Sequence, residues 1–528
     1  MTELIVRSKF IKEKSIIKTI TDIDEILLTR IILIVAFLTG AFLRIWQINA
    51  MGYNTDEAVY SGQAAAIAGV PVLEDIFPIF RAHPLLFQVL LSLVYQIQFS
   101  DLAGRLFAVV IGMGTIFLTY RTGKLLYGQL PGAIAALIIA IMPYHVLVSR
   151  QVLLDGPMVF FATLSLYLLV QFSYSQKPIW LYFAGASMGF TFLAKETSII
   201  LMGAIYSFLA LAPEIKVRIR DVIISLLLWI VVILPFPLSI ALAGSSTTGR
   251  NYLAWQLFRR PNHDWSFYLS NVPQSIGVLV ILTAIIGIIL LWRHRAWKEK
   301  ILLCWILVPL TFFQIWPVKG FQYLLPIAPP IAILAGRLLG ELIGEHNKIN
   351  FSTFFKRFSH YRIASLIVIV LIVITLFGSS WQRIQPEIST RFLAGTGGVP
   401  GGREAGEWVK NNAPLNSNFM TIGPSMANII KFYGQRPAYG LSVSPNPLHR
   451  NPSYTPIYNP DAQIRRSELQ YIVWDSFSAS RSTFFSDKLM GYVRLYNGRA
   501  VHTESINTKD AQGNTIVQPI IIIYEVHP

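Results

Sequence analysis

Residues 26–60, ILLTRIILIVAFLTGAFLRIWQINAMGYNTDEAVY, decide the fold, because a long apolar run is followed closely by two acids. The run 26–47 has the length of about 20 residues that a membrane-spanning helix needs. It is longer than a signal-peptide core and lacks a convincing small-residue cleavage site. This stretch therefore predicts an uncleaved first membrane span that leads into an acidic loop.

The composition agrees with a membrane protein. Of 528 residues, 53% are hydrophobic and only 14% are charged, against about 25% charged residues in a typical soluble domain. These proportions exclude a soluble enzyme, a disordered chain and a disulfide scaffold. The single cysteine, Cys304, excludes an intrachain disulfide and a cysteine-rich metal site.

Ten further apolar runs predict a polytopic α-helical membrane protein with about eleven spans. The runs lie at 102–120, 130–148, 157–174, 179–194, 197–212, 222–243, 273–292, 301–316, 322–343 and 363–380.

The segment 84–98 is ambiguous, since its helix would be only about 22 Å long against a bilayer core of about 30 Å. If it lies at the interface, the inside loops hold 19 Lys and Arg residues and the outside loops before residue 381 hold nine. That asymmetry follows the positive-inside rule. We therefore predict a juxtamembrane helix here, a multi-pass protein of the plasma membrane, and an extracytoplasmic C-terminus. The net charge of +16 is then a topology signal, and no nucleic-acid partner is expected.

The chain divides into three parts by composition. Residues 1–25 form a basic cytoplasmic N-terminus, and 26–380 form the transmembrane part, whose first loop (48–101) carries the acidic pair. Residues 381–528 are polar and rich in Pro, Gly and Asn, and strand-like and helix-like runs alternate there, which predicts a small extracytoplasmic α/β domain. Those runs are the strands Asn418–Gly423, Tyr471–Asp475 and Ile520–Val526 and the helices Arg403–Asn412 and Met426–Tyr433. Five prolines in Ser444–Pro460 predict a long loop.

The acidic pair Asp56-Glu57 admits two interpretations. Asn54 followed by Glu57 three residues later is the pattern of a capping box, and acids suit the first turn of a helix. Alternatively the pair is functional, because it opens a loop of more than 30 residues that is too apolar for disorder.

Several other charged residues lie near the predicted outer ends of spans. Arg150 and Asp155 end one span and begin the next, where an interfacial Arg–Asp ion pair is the alternative to a functional role. Lys195 is nearly alone in an apolar stretch, which makes it a functional candidate. Nine charged or histidine residues from five loops should share the outer face: Asp56, Glu57, His83, Arg105, Asp155, Lys195, Glu196, His263 and Lys319.

Carboxylates beside several cations indicate a site for a phosphate-bearing substrate. A carboxylate can take a proton from an attacking hydroxyl, while cations neutralise a departing phosphate. The sequence contains no ATP-binding motif. The substrate that loses its phosphate is therefore expected to carry that phosphate on a lipid.

The ordered set of motifs resembles the GT-C glycosyltransferases, of the group of protein O-mannosyltransferases and lipid A aminoarabinose transferases, over about residues 26–340. The motifs are Asp56-Glu57 with Tyr60, His83-Pro84-Leu85-Leu86, Gly104-Arg105-Leu106, the basic loop Tyr120–Gly128, Arg150 with Asp155, Lys195-Glu196, and Lys319 followed by Tyr323-Leu324-Leu325-Pro326.

The resemblance implies an inverting hexosyl- or pentosyltransferase. It would use a polyprenyl-phosphate sugar donor and a glycan, lipid or protein acceptor, within a cavity open to the outer side. Asp56 matches the catalytic carboxylate and is expected to be the general base, with Glu57 and Asp155 as the other catalytic candidates. The predicted substrate-binding residues are His83, Arg105, Arg150, Lys195, Glu196, His263, Lys319 and Tyr323, of which Lys195, Arg105 and Lys319 are the candidates for the lipid phosphate.

This chain departs from the aminoarabinose transferases in two places. Val59 stands where they carry an arginine after the acidic pair, and His83 stands where they carry a lysine before the proline. His83 and His263 alone are a poor basis for a divalent metal site, and no cofactor is predicted.

Two other functions compete with a transferase. A lipid or solute transporter would show inverted repeats and mid-span charges, which the sequence lacks. A non-catalytic assembly subunit of a cell-envelope glycan pathway would need neither the acidic pair nor Lys195.

Overall fold

The computed structural model describes most of the chain. The described residues are 25–77, 83–242, 259, 261–290, 297–343, 361–386, 399–451, 454–509 and 513–528.

The first part of the chain is helical. Its α-helices, in chain order, are α1 (Glu25–Ile45), α2 (Thr55–Ile67), α3 (Pro71–Ile76), α4 (Leu86–Ile97), α5 (Asp101–Tyr127), α6 (Gln129–Ile141), α7 (Pro143–Val148), α8 (Asp155–Ser175), α9 (Pro178–Ala194), α10 (Ile200–Leu211), α11 (Ile219–Ile233), α12 (Pro235–Leu242), α13 (Phe267–Ile276), α14 (Val278–Leu290), α15 (Trp297–Ile315), α16 (Ala328–Ile343) and α17 (Tyr361–Ile384). Short 3₁₀ helices, Glu196–Ile199 and Phe321–Ile327, precede α10 and α16.

All eleven apolar runs of the sequence are helical in the described residues. Among the described residues, six helices are long and apolar enough to cross a membrane, and the pair α13–α14, bent by 92°, would make a seventh. The helices at α6, α9 and α10 are apolar but shorter, because proline or a polar residue interrupts them. The coarse fold class is therefore confirmed, while eleven spans remain a prediction.

Helix packing separates the interior of this part from its surface. Every residue from Leu130 to Ile141 in α6 is buried, and α16 is almost as fully enclosed. By contrast, only Asp221 is buried in α11, whose remaining side chains are exposed or partly exposed. Such a hydrophobic exterior is what a lipid-facing helix requires.

The first loop begins with a partly buried turn and then forms α2 and α3. Within the predicted juxtamembrane segment 84–98, the structure has α4, a helix of 12 residues. At 1.5 Å per residue, α4 is about 18 Å long, too short to cross a bilayer core.

The C-terminal part is a mixed five-stranded sheet with helices. Its elements are α18 (Gly402–Asn412), β1 (Phe419–Thr421), α19 (Pro424–Ile429), β2 (Ala438–Gly440), α20 (Pro460–Arg465), β3 (Tyr471–Asp475), α21 (Ser476–Arg481), α22 (Thr483–Leu495), β4 (Arg499–Lys509) and β5 (Thr515–Glu525). The strand order is β2-β1-β3-β5-β4, with β2, β1 and β3 parallel and β5 antiparallel to both of its neighbours.

The three strands expected from the sequence are present, whereas β2 and β4 were not predicted. Strand β2 has three residues and offers little pattern. Strand β4 is an edge strand with polar side chains along much of its length, and it pairs with β5 as a long hairpin. Polar edges of this kind protect a sheet against further pairing but weaken the strand signal.

Candidate active site

Helix α2 places Asp56 at its first turn. The Asn54 side chain accepts hydrogen bonds from the backbone N–H groups of Asp56 and Glu57, at 2.9 and 3.0 Å. The Glu57 carboxylate accepts one from the Asn54 N–H at 3.1 Å, which completes the predicted capping box. None of these three hydrogen bonds uses the Asp56 carboxylate, and the Asp56 side chain is only partly buried.

The neighbouring acid, Glu57, is fully enclosed and bound on both oxygens. Arg105 donates to it from Nε and Nη2, at 2.9 and 2.8 Å, and the Val152 N–H donates to Oε1 at 3.1 Å. The remaining Arg105 donors bind the carbonyls of Ile48, Met51 and Gly52, at 2.7–3.0 Å. All five guanidinium N–H groups thus have acceptors within the protein.

Lys195 and Asp155 form a buried ion pair across 40 residues of sequence. The Lys195 Nζ lies 2.7 and 2.9 Å from the two Asp155 oxygens and 5.0 Å from the centre of the Tyr323 ring. Lys195 is 9% exposed and Asp155 is 2% exposed. An ammonium has three N–H donors, and Asp155 accepts two of them. The structure therefore brings together three of the predicted site residues.

His83 and Glu196 form a second contact nearby. The His83 Nδ1 lies 3.3 Å from Glu196 Oε2, and both side chains are about one-fifth exposed. His83 belongs to the first loop, and Glu196 follows Lys195 just after the end of α9. This pair is therefore a contact between the first loop and the end of α9.

Asp56 lies in the electrostatic field of both contacts. Burial is the largest influence and raises the pKa of Asp56 above its ordinary value, while Lys195 and His83 oppose the increase and Glu57 adds to it. The net direction is upward. We call Asp56, His83, Asp155, Lys195 and Glu196 the Asp56 cluster.

Other predicted residues lie in different surroundings. Lys319 is 4% exposed and donates to the carbonyls of Gln314 and Trp316, at 3.1 and 3.2 Å, near the end of α15. His263 is exposed and stacks on Phe267 with ring centroids 4.1 Å apart.

Arg150 does not pair with Asp155, so the interfacial ion pair considered above is not formed. Its guanidinium instead donates to the carbonyls of Leu43 and Trp46, at 2.7 and 2.8 Å. These carbonyls lie at the C-terminal end of α1, where cations are favourable.

One neighbour of Asp56 was missed by sequence reasoning. Tyr454 belongs to the proline-rich loop Ser444–Pro460, and its pKa is raised by burial and then by the Asp56 carboxylate, while Arg259 opposes the increase. The C-terminal part of the chain thus contributes a group that interacts electrostatically with Asp56. Nothing in the loop's composition distinguished this tyrosine from an ordinary loop residue.

Within the described residues, there is no group of three or more His, Cys, Asp or Glu side chains that could hold a metal ion. His83 and His263 have the separate contacts given above.

This architecture aligns with solved membrane enzymes along nearly the whole chain. ArnT from Cupriavidus metallidurans, in a structure bound to undecaprenyl phosphate, aligns with a TM-score of 0.64 and 13% identity, covering 94% of this chain and 97% of that one. The protein has the GT-C glycosyltransferase fold. The archaeal oligosaccharyltransferase AglB from Archaeoglobus fulgidus, in complex with an inhibitory peptide and a dolichol-phosphate, aligns with a TM-score of 0.57 and 13% identity, covering 93% of this chain and 74% of that one.

Sequence comparisons of this GT-C protein match parts of the chain. The family model for dolichyl-phosphate-mannose-protein mannosyltransferase matches residues 82–240. A Bacillus subtilis protein named as the mannosyltransferase YycA is 33% identical over 145 residues, which are 27% of this chain and 21% of that protein. The undecaprenyl phosphate-alpha-4-amino-4-deoxy-L-arabinose arabinosyl transferase of Serratia proteamaculans is 33% identical over 147 residues, covering 24% of this chain and 26% of that protein. The matches thus span about a quarter of each curated relative.

Proposed function

We propose that the protein is an integral-membrane glycosyltransferase that moves a sugar from a polyprenyl-phosphate donor to a hydroxyl-bearing acceptor on the outer face of the membrane. The observation that carries this proposal is the Asp56 cluster, in which a partly buried carboxylate of raised pKa lies beside a buried lysine. The lipid phosphates named in the solved GT-C structures, undecaprenyl phosphate and dolichol-phosphate, support the lipid class of the donor.

In the proposed reaction, the acceptor oxygen attacks the anomeric carbon of the sugar from the face opposite the phosphate. Asp56 takes the proton of the acceptor hydroxyl as the new C–O bond forms. The bond between the anomeric carbon and the phosphate oxygen breaks, and the polyprenyl phosphate leaves with the electron pair. A single displacement of this kind inverts the anomeric centre.

The raised pKa of Asp56 serves this role, because a carboxylate of higher pKa is a stronger base while it remains ionised near neutral pH. Lys195 supplies positive charge for the leaving phosphate through the N–H that Asp155 does not accept. Asp155 holds the ammonium in place, and the ammonium also lies over the Tyr323 ring.

We propose positioning roles for Glu57 and Arg105. Their hydrogen-bonding groups are bound within the protein, and Arg105 is 5% exposed, which leaves Arg105 without a donor for a lipid phosphate. Lys319 and Arg150 similarly hold backbone carbonyls. Lys195 is also the cation whose charge acts most strongly on the Asp56 carboxylate, and we therefore assign the phosphate contact to Lys195.

The test compares two acids of the first loop. Asp56→Asn keeps the shape of the side chain but removes the base, so turnover should fall by about 10²–10⁴-fold, the range that general-base catalysis contributes. Asp75→Asn is the matched control, because Asp75 is an exposed acid in α3.

The measurement is release of polyprenyl phosphate by the purified full-length protein in lipid vesicles. The probes are polyprenyl-phosphate mannose and polyprenyl-phosphate 4-amino-4-deoxy-L-arabinose, with a cell-envelope extract as acceptor. Turnover of the Asp56→Asn variant at the wild-type rate would remove Asp56 as the base, and an inactive wild-type protein with both donors would contradict the proposed donor class.

A further inference from the structure

The turn between α1 and α2, residues 48–53, is bound by two arginines from distant parts of the chain. Arg105 of α5 holds the carbonyls of Ile48, Met51 and Gly52. Arg403 of α18 holds the Asn49 carbonyl at 3.1 Å and the Met51 carbonyl at 3.0 Å. Both guanidinium groups therefore converge on the Met51 oxygen, from opposite domains. We call residues 48–53 the Met51 turn.

The contact of Arg403 with this turn is close. Its Nη2 also donates to the Asn49 side-chain oxygen at 3.0 Å. A Cβ atom at Gly52 would lie only 2.9 Å from the Arg403 Cβ, so glycine permits the approach.

Tyr433 makes a second link between the domains. Its hydroxyl accepts a hydrogen bond from the Tyr53 N–H at 2.8 Å and donates one to Asp101 Oδ2 at 2.5 Å. Asp101 also pairs with Arg403 at 2.9 Å. The Tyr53 ring packs on Phe432 with centroids 5.1 Å apart. These contacts are buried, since Tyr53 is 1% and Tyr433 is 8% exposed.

The Met51 turn leads directly into the catalytic helix. Tyr53 precedes Asn54, the N-cap of α2, and Asp56 follows two residues later. A displacement of the turn would therefore move the cap and the carboxylate together. The same domain carries Tyr454, whose pKa the Asp56 carboxylate helps to raise.

We propose that the C-terminal domain is a working part of the active site, in which Arg403 and Tyr433 are positioning residues that hold the Met51 turn and thereby set the place of Asp56. This inference rests on the proposed function only for the role of Asp56 as the base. The physical reason is that the turn's carbonyls and the Tyr53 N–H need partners once buried, and the C-terminal domain supplies them.

The first experiment is Tyr433→Phe, which removes the hydroxyl and keeps the ring. We expect kcat to fall by about tenfold or more, because small misplacements of a catalytic group have effects of this size, while KM for the polyprenyl-phosphate donor changes less than about twofold. Water entering around Asp56 would lower its pKa, so the acid limb of the pH–rate profile should move to lower pH. A fold-stability role alone would reduce the amount of active protein without moving the pH–rate profile.

Two controls accompany this variant. Tyr524→Phe alters a tyrosine of β5 on the other face of the sheet, where it packs against a hydrophobic cluster that includes Met420 and Ile472. This variant should have the activity of the wild type. Arg403→Gln should reproduce the effect of Tyr433→Phe, whereas Arg499→Gln, at an exposed arginine paired with Glu525, should not.

Hydrogen–deuterium exchange of the full-length protein tests the turn independently of catalysis. The Tyr53 amide should exchange faster in Tyr433→Phe than in the wild type or in Tyr524→Phe. If exchange rises but kcat and the pH profile stay at wild-type values, the positioning role is wrong. If exchange does not change, the Met51 turn does not depend on the C-terminal domain, and the proposal fails even where the wild type is an active transferase.

Discussion

At the scale of single residues, the two adjacent acids of α2 have different physical situations. Glu57 is 0% exposed, and Arg105 and two backbone N–H groups occupy its oxygens. Asp56 is partly exposed and feels the charges of Lys195 and His83. Of these two adjacent carboxylates, Glu57 thus holds the helix in place and Asp56 is available to face the substrate.

The pH dependence of transfer should report the environment of Asp56. Because its pKa is raised, activity should fall on acidification at a higher pH than an ordinary aspartate, of pKa about 3.9, would give. In Lys195→Ala the nearby positive charge is lost, so the acid limb should move to still higher pH.

The same variant should weaken donor binding more than acceptor binding, by about 10- to 10²-fold, for the loss of a charge-assisted hydrogen bond of about 1.5–3 kcal/mol. The measurement is a set of pH–rate profiles with the donor varied at fixed acceptor. A profile that stays in place, or a larger change in the acceptor KM, would contradict the role of Lys195.

A second titrating group, Asp475, should affect stability instead of turnover. Its carboxylate is fully buried and accepts from the Ser478 N–H at 2.7 Å, and burial raises its pKa to about 6. Because the folded state then holds the proton more tightly than the unfolded state, of pKa about 3.9, stability should decline as pH rises through this interval, by about 3 kcal/mol in all.

Asp475→Ser keeps a capping oxygen and removes the charge. The difference between the unfolding midpoint of the variant and that of the wild type should therefore shift in favour of the variant as the pH rises from about 4 to about 7. The measurement is thermal unfolding in detergent across this pH range. A constant difference between the two proteins would show that Asp475 does not titrate in this range.

At the scale of elements, the Glu57–Arg105 pair anchors α2 to α5. Removing one partner of a buried ion pair typically costs about 3–5 kcal/mol, so Glu57→Gln should lower the unfolding midpoint by several degrees. Asp56→Asn should leave the midpoint close to that of the wild type, since the cap does not use its carboxylate. Thermal unfolding of the two variants makes the comparison, and equal midpoints would reject the anchoring role.

Local patterns were predictable where the interacting residues are close in sequence. The capping box at Asn54 and Glu57 needs only a spacing of three residues, and each apolar run has the composition of an apolar helix. The hairpin strand β4 was missed because its side chains are polar along an exposed edge.

The partners within the site could not be predicted in this way. Lys195 and Asp155 are 40 residues apart, and Arg105 and Glu57 are 48 apart. Their pairing depends on how α5, α8 and α9 pack, which no local pattern encodes. The sequence predicted that these residues lie near one end of the spans. Only the hydrogen bonds in the structure distinguish the residues that anchor helices from those proposed to face the substrate.

At the scale of the whole molecule, the C-terminal domain and the helical part share buried contacts. Their common core includes Tyr53 and Phe87 from the first loop and Phe432 and Ile523 from the C-terminal part. If the Asp56 cluster faces the outer side, as the charge distribution of the loops predicts, the C-terminal domain must lie on that side as well. Membrane topology and the proposed chemistry therefore depend on each other.

Cysteine labelling tests this topology in a Cys304→Ser background. Gly491→Cys places a thiol on α22 where an added Cβ meets nothing within 4 Å, and Lys177→Cys places one at the exposed turn between α8 and α9. A membrane-impermeant maleimide should label Gly491→Cys on intact cells, and Lys177→Cys only after permeabilisation, because the two positions are predicted on opposite faces. Labelling of both positions from the same side would overturn the arrangement of the spans between them. Labelling of Gly491→Cys only after permeabilisation would put the Asp56 cluster inside, and with it the lipid-phosphate donor that Lys195 is proposed to bind.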